Sequence, residues 1–520
     1  MATSTFHGLE VARRALATQQ SALHTTSHNI SNANTEGYSR QRVNFEASQA
    51  FPMPARNAPQ MAGQLGTGVE AGQIERIRDQ FLDFQYRAEN NQAGYYESKA
   101  DALKRMEDIM NEPGDSGLAS TMDQFWESIQ DVATNPEDGG ARRVMQQRGQ
   151  AVAETFHHLH EKLTDVQGEL KNQMDTNAGQ VNTLVNQIQQ INDQISRVEP
   201  NGDLPNDLYD RRDVLIDELS QHVNIDISYE SNGGHSKASA EGQAIVTLVD
   251  NNRSAIEGGT LIDADNNMAG LEVQFTGEND EIVSGVGIGP LSEDGQVNVE
   301  ETIEASNFNS PGKLQGLIHA NGYETTETDE DGNPIFAGDY VEMIDGLNQM
   351  AHAFVNEFNG QHEQGYDLNG DEGVNFFNEL DSPENAAASI SVSDAILNDE
   401  NLIAASGTGQ PGDGANARAL SDIRDENIDE LGGQSTQKYY EALIGDLGVK
   451  AQEANRMAQN TSDLRESVNN NRESISGVSL DEEMSNMIKF QHAYNAAARS
   501  MTVVDETLDR VINQMGIVGR

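Results

Sequence analysis

LEVARRALATQQSALHTTSHNI, residues 9–30, and LDEEMSNMIKFQHAYNAAARSMTVVDETLDRVINQM, residues 480–515, are the two stretches whose reading decides the fold. In the first, Leu9, Leu16, Leu23 and Ile30 recur every seventh residue, with Ala12 and Ala15 beside them. In the second, Leu480, Met484, Met487, Tyr494, Ala498, Met501, Leu508, Ile512 and Met515 follow a 4-3 alternation broken only by Gln491 and Asp505. Spacings of three and four put side chains on one face of a 3.6-residue helix, the pattern of helices that meet along a seam. Two such seams at opposite ends of the chain predict that the termini pair as a coiled coil. Both stripes are polar on their other faces and thin in large apolar residues. They suit contact with partners better than a deep core, and predict ends that order only on contact.

The first stripe ends in Asn29-Ile30-Ser31-Asn32-Ala33-Asn34-Thr35-Glu36-Gly37-Tyr38-Ser39-Arg40, where Asn, Thr and Gly favour turn or left-handed backbone. This run resembles the N-terminal signature of the axial flagellar proteins of rod, hook and hook-associated type. Gly477-Val478-Ser479-Leu480-Asp481-Glu482-Glu483-Met484, continuing through Phe490-Gln491-His492-Ala493-Tyr494, is similar to their C-terminal signature. Leu204–Asp213, Phe358–Gly370 with Phe376-Phe377, and Val392–Leu397 resemble stretches of the flagellar hook-associated protein 1 family. No motif is recognisable between about 223 and 335.

The resemblance implies a structural protein of the bacterial flagellum that joins hook to filament. It implies several copies in a ring, contacts with the hook protein and a second junction hook-associated protein, and a cytoplasmic export chaperone. It also implies travel through the flagellar type III channel and an extracellular destination. The assembly interface would use Leu9, Leu16, Leu23, Ile30, Leu480, Met484, Met487, Tyr494, Met501, Leu508 and Ile512. Asn32, Thr35, Gly37 and Tyr38 would shape the turn below the stripes. A hook or rod subunit shares both terminal signatures, but the helical run 140–198 and Asn206–Asp213 argue against it. The rival from another class is a secreted flagellum-associated hydrolase.

A chain of 520 residues exceeds the roughly 250–300 at which single cores stop growing, so several domains are expected. No apolar run reaches the roughly 18 residues that span a bilayer, which argues against membrane insertion. The first residues lack the apolar stretch of a cleavable signal peptide, so export would need another route. There is no cysteine, which excludes disulfides, thiolate metal sites and cysteine nucleophiles. With 85 acidic against 33 basic side chains the formal charge is −52, which disfavours nucleic acid as a partner. The carboxylates are spread along the chain, not gathered in an acidic tail, and this points to salt adaptation.

Periodicity gives a fold class that is mainly α with a β-rich insertion. Helices are predicted over 9–34, from Gln80 to about Met110, over Leu118–Thr134, 140–198 and 206–222, and again in Tyr340–Gln361 and from Thr436 to about Asn470. Between Val223 and Pro311-Gly312 short alternating runs predict β-strands. The expected division is a terminal coiled coil (1–48 and 476–520), a helical body of long helices (49–222 and 315–475) and a smaller all-β outer domain (223–314). Bounded by Gly and Pro turns, that outer domain is expected to be replaceable by a linker.

Chemical motifs are weak. Asp367-Leu368-Asn369-Gly370-Asp371-Glu372-Gly373 has calcium-loop spacing at its start, but the glycine falls one position late and Asn378 replaces the closing glutamate, so an Asx-rich turn is favoured. His160-Glu161 begins a zincin motif whose second histidine would be Thr164. Gly407–Gly412 matches a dinucleotide glycine pattern without its βαβ context. These readings lead to no enzyme, no metal and no cofactor.

Charge alone generates one prediction. Repulsion among carboxylates opposes compaction, and the Debye length falls from about 10 Å at 0.1 M salt to about 3 Å at 1 M. Thermal melts in sodium chloride should therefore show a midpoint that climbs throughout this range, whereas a flat midpoint would remove the case for salt adaptation.

Overall fold

The computed structural model describes residues 5–51, 56, 63–110, 117–277, 281–292, 294–329 and 332–514. Helix α1 (Thr5–Ser31) leads into an antiparallel hairpin of β1 (Gln41–Ala47) and β2 (Val69–Arg76). Helices α2 (Gln80–Met110), α3 (Leu118–Thr134), α4 (Gly139–Val198) and α5 (Asn206–His222) follow. Strands β3 (Ile225–Glu230), β4 (Gln243–Val249) and β5 (Ala255–Ile262) form a three-stranded antiparallel sheet. Strands β6 (Ala269–Thr276), β7 (Ile282–Pro290) and β8 (Glu301–Glu304) begin a second sheet, interrupted by α6 (Lys313–Asn321) and completed by β9 (Tyr323–Thr328) and β10 (Pro334–Ala337). The chain returns through α7 (Asp339–Glu363), the short α8 (Ala386–Ser389), α9 (Asp394–Asn398) and α10 (Ala415–Asp422), and the long α11 (Thr436–Ser476) and α12 (Leu480–Asp509). No helix among the described residues is long and apolar enough to cross a membrane.

The 60-residue α4 is the axis of the body. Asp138 caps its start, accepting from Gly140 N at 2.8 Å, and Gly202 in the left-handed region (φ 89°) turns the chain after it. Its first half packs Phe156 and Leu159 in a core that also holds the aromatic cluster Phe125, Trp126, Phe354, Phe358, Phe376 and Phe377. Phe376 and Phe377 lie 4.9 Å apart by ring centroid. Gly149 makes room for this cluster, because a Cβ there would come within 2.7 Å of the Phe376 ring.

The second half of α4 packs against the strands. Val181, Val185 and Ile188 are buried in one continuous apolar cluster that also contains Val246, Leu271, Val273 and Val286. Two buried asparagines fix the strands in register. Asn182 donates to Leu271 O (2.9 Å) and accepts from Leu271 N (2.7 Å), and Asn192 does the same with Ala244 at 2.9 and 3.1 Å. The second sheet also runs past residue 314. Lys313–Asn321 restores a helical period only for one short helix, and the polar run Tyr-Glu-Thr-Thr-Glu-Thr of β9 offers no apolar alternation to betray a strand. A further difference concerns the ends. Both terminal helices are formed and paired within one chain, where the thin stripes suggested order only on assembly.

His362, at the end of α7, is fully buried. Its Nε2 accepts from Ala404 N at 2.9 Å, so Nδ1 carries the proton that it gives to the Val374 carbonyl. Burial pushes its pKa down to about 4.

Two predictions follow from this packing. Replacing 223–314 by a Gly/Ser linker should uncover Val181, Val185 and Ile188, each contributing about 1.5–3 kcal/mol by burial. The shortened chain should then aggregate or melt well below the intact one by calorimetry, and retention of the full midpoint would show the sheets to be separable. In acid, the unfolded chain protonates His362 near pH 6.5 while the folded chain resists until about 4. Stability from this group is therefore complete above about pH 6.5 and falls by roughly 3 kcal/mol on descending to about pH 4. Denaturant midpoints taken across this window should show a shallower acid slope in His362→Gln.

Candidate functional site: the root of the terminal helix pair

Helices α1 and α12 run antiparallel. Gly8 faces Val504, where a Cβ on the glycine would sit 3.3 Å from the valine, and at the other end Asn29 meets Glu483. The buried positions of α1 are Ala12, Thr18, Ala22, Thr25, Thr26 and Asn29, a face of small and polar side chains. Leu9, Leu16, Leu23 and Ile30 are half-buried along the edge of this face. On α12 the side turned inward runs through Glu483, Met487, Phe490, Ala497, Met501, Val504 and Leu508.

The predicted C-terminal stripe is thus divided. Met487, Met501 and Leu508 lie inward, while Leu480, Met484, Tyr494 and Ile512 are exposed. A strict seven-residue repeat drifts about 20° per heptad on a straight helix, so Leu480 and Met484 have rotated off the seam on which Leu508 is central, while Ile512 lies beyond the end of α12. Met515 lies outside the described residues. The β1–β2 hairpin flanks the same seam: Thr18 Oγ1 donates to Val69 O at 3.2 Å, and Phe45 packs on Phe490 with centroids 5.8 Å apart.

A polar knot holds the root of the pair. Asn29 donates through Nδ2 to Gln41 O (2.9 Å) and to Glu483 (3.0 Å), and its Oδ1 accepts from Gln41 N (3.0 Å) and the Tyr38 hydroxyl (2.8 Å). Glu483 is 2 % exposed and takes Arg40 Nε at 2.8 Å, while Arg40 also pairs with Glu482 at 2.7 Å. Burial, with Asp207, Asp210 and Glu483 nearby, pushes the Tyr38 phenol far up, so it stays a neutral donor. The predicted turn residues all act here. Asn32 Nδ2 donates to His28 O (3.1 Å) and Thr35 Oγ1 to Asn32 Oδ1 (3.2 Å), closing the end of α1. Gly37 has φ 74°, and a Cβ there would lie 2.0 Å from Val214, so only glycine lets the turn dock on α5.

Below the knot lies a cluster that sequence reasoning missed. Asp213 is fully enclosed among Arg76 (2.9 Å), Arg78 (3.2 Å) and Arg87 (3.5 Å). Arg76 also pairs with Asp210 at 2.7 Å and with Glu241, Arg212 pairs with Glu241 at 2.8 Å, and Arg472 of α11 pairs with Asp217. Burial would raise the Asp213 pKa, but Arg78, Arg76 and Arg87 outweigh it and hold the carboxyl well below its usual range. Ser39 N donates to Asp210 at 3.1 Å, which ties the terminal unit to this cluster. The available signal was Asp210, Asp213 and Asp217, spaced three and four apart on a helix that drew attention only for the resemblance of Leu204–Asp213.

Of the remaining motifs, His160-Glu161 lies within α4 and the other two are turns. Asp367 accepts from Asn369 N (2.7 Å) and Asp371 N (2.9 Å), as an Asx turn does. Asp413 gathers Gly407 N (3.0 Å) and the Thr408 hydroxyl (2.8 Å), which closes the Gly407–Gly412 loop. Among the described residues, no group of three His, Asp or Glu is placed to hold a metal ion.

The chain is similar to known proteins along its length. Residues 103–377 match the family described as the flagellar hook-associated protein FlgK helical domain. Residues 9–38 match the flagella basal body rod protein family, and 470–515 the flagellar basal body rod FlgEFG protein C-terminal family. The flagellar hook-associated protein 1 of Bacillus subtilis (strain 168) is 46% identical over 526 residues, covering 100% of both chains. That of Escherichia coli (strain K12) is 25% identical over 96% of this chain and 98% of its own. The flagellar hook junction protein FlgK from Burkholderia pseudomallei shares the fold, with a TM-score of 0.59 at 14% identity over 75% of this chain and 100% of that one. Full-length identity at this level, with terminal and helical-domain matches in the same order, places the chain in the flagellar hook-associated protein 1 (FlgK) family of structural proteins at the hook–filament junction.

Proposed function

We propose that the subunit self-associates into a ring through its terminal helix pair, seated between the hook protein and a second junction hook-associated protein. On this reading it is secreted unfolded through the flagellar export channel, with a cytoplasmic chaperone, and works outside the cell without catalysis. The observation that carries the reading is the apolar row left uncovered on the terminal pair. Leu480, Met484 and Ile488 are 48%, 51% and 56% exposed, one above the next along α12. A single chain leaves this row in water, and neighbouring subunits packed side by side would cover it. The root knot supports the same role, since directional bonds to Asn29, Arg40 and Glu483 hold the row at a set angle to the body. A hook or rod subunit would share the terminal matches but not the helical domain over 103–377.

The test separates assembly from folding. Met484→Asp with Ile488→Asp should leave the melting midpoint of the purified subunit within about 2 °C, since exposed substitutions usually cost under about 0.5 kcal/mol. Cells carrying the pair should secrete the protein and fail to attach it to hooks, scored by microscopy of isolated hooks. Normal filaments on such cells would defeat the reading.

A further inference from the structure

An asparagine is least stable before a glycine, which carries no side chain to hinder attack of its own backbone nitrogen on the asparagine carboxamide. The chain has five such pairs: Asn201-Gly202, Asn232-Gly233, Asn321-Gly322, Asn359-Gly360 and Asn369-Gly370. In each, the asparagine Nδ2 has an acceptor, namely Arg197 O, Glu199, Glu281 O, Phe377 O and Asp367 in turn. Side-chain tethering therefore does not separate them.

The glycine nitrogen does. Gly202 N donates to Glu199 O at 2.9 Å, Gly322 N to Ile318 O at 3.0 Å and Gly370 N to Asp367 O at 3.2 Å. Gly360 lies inside α7, where amides bond back along the helix. Gly233 N instead reaches the hydroxyl of exposed Ser231, at 3.4 Å. Its backbone is left-handed (φ 67°), Gly234 follows at 66°, and open space lies where a side chain on Gly233 would be. An amide without a backbone acceptor is the freest of the five to lose its proton and turn on the carboxamide before it.

This pair also holds a clamp. Glu199, fully buried just after α4, ties both ends of the loop between β3 and β4. One carboxyl oxygen accepts from Asn232 Nδ2 at 2.6 Å, and the other from Gly242 N at 3.0 Å and from the Tyr209 hydroxyl. The loop in turn carries Glu241, which pairs with Arg76 and with Arg212 (2.8 Å). It also carries Ser239, which donates to Gln73 of the terminal hairpin at 2.8 Å.

We propose that Asn232 is a site of spontaneous modification, and that its conversion to an acid releases this loop from Glu199. The Gly233 nitrogen gives up its proton to water and forms a bond to Asn232 Cγ. The Cγ–Nδ2 bond breaks, and the nitrogen leaves as ammonia with a proton regained from water. A second water opens the resulting succinimide at either carbonyl, leaving aspartate or isoaspartate, and no oxidant or reductant takes part. Either product replaces the donor to Glu199 by a second carboxyl, and two carboxyls so close repel or must share a proton. The start of the loop then loses its clamp, and Glu241 and Ser239 lose their support. The tie between the first sheet and the terminal hairpin loosens with the age of the molecule.

Peptide mapping by mass spectrometry tests the site in the full chain, held folded at neutral pH and sampled over time. Conversion at Asn232 should run about fivefold ahead of the other four, the factor that one net hydrogen bond is worth. In denaturant the five should convert at similar rates, which assigns the difference to the fold. The proposal is overturned if Asn201 or Asn369, both exposed, leads in the folded chain, or if all five keep pace. Proteolysis tests the release. Cleavage within 231–242 should be about tenfold faster in Asn232→Asp than in Asn232→Ala, which removes the donor without adding a carboxyl. Equal rates would show that the loop does not respond to the acid, and would overturn the release.

Discussion

The buried contact between Asn29 and Glu483 is the point on which the rest of the molecule turns. It joins residues far apart in sequence, and the groups around it leave little freedom. The asparagine oxygen is fixed by the Gln41 amide and the Tyr38 hydroxyl, so its nitrogen must serve Gln41 O and Glu483. Glu483 is then paired with Arg40 at the base of α12. Removing one partner would leave a buried polar group unpaired, a loss of about 1–3 kcal/mol. The root of the terminal pair is thereby defined by hydrogen-bond direction as well as by apolar area.

The same device recurs in the body. Asn182, Asn192 and Asn359 each clamp a neighbouring peptide from a helix, the last taking the Phe376 and Phe377 amides at 3.0 Å. Helices in this protein hold strands and loops by amide-to-backbone bonds set inside apolar packing. The charged cluster around Asp213 extends the principle. Basic side chains are far outnumbered by acidic ones, yet five of the 33, Arg76, Arg78, Arg87, Arg212 and Arg472, converge where hairpin, body helices and α11 meet.

Much of this was legible in the sequence. The apolar period of α2, α3 and α4 and the Pro and Gly stops around them put helix ends where the structure has them, because burial and backbone sterics act locally. The turn residues Asn32, Thr35, Gly37 and Tyr38 were visible for the same reason. Less could be read where a long-range partner decides. The drift of the heptads separated Leu480 and Met484 from Met501 and Leu508, and only a straight helix pair reveals the angle. Strand β9 pairs through a polar sequence that its neighbours, not its own propensity, make a strand. The asparagine clamps and the arginine cluster use residues that look like solvated helix faces until their partners are known.

The charged cluster also imposes an order of events on the chain. Arg76, Arg78, Arg87 and Asp213 come early, but Asp217 is completed only by Arg472, near the end of α11. A chain that emerges N-terminus first therefore carries an unfinished centre through most of its synthesis. Closing it requires a contact between residues 255 positions apart, and contacts of such separation form late and slowly. The fold thus contains its own delay, set by topology: the centre stays unfinished until α11 has returned to α2 and α5.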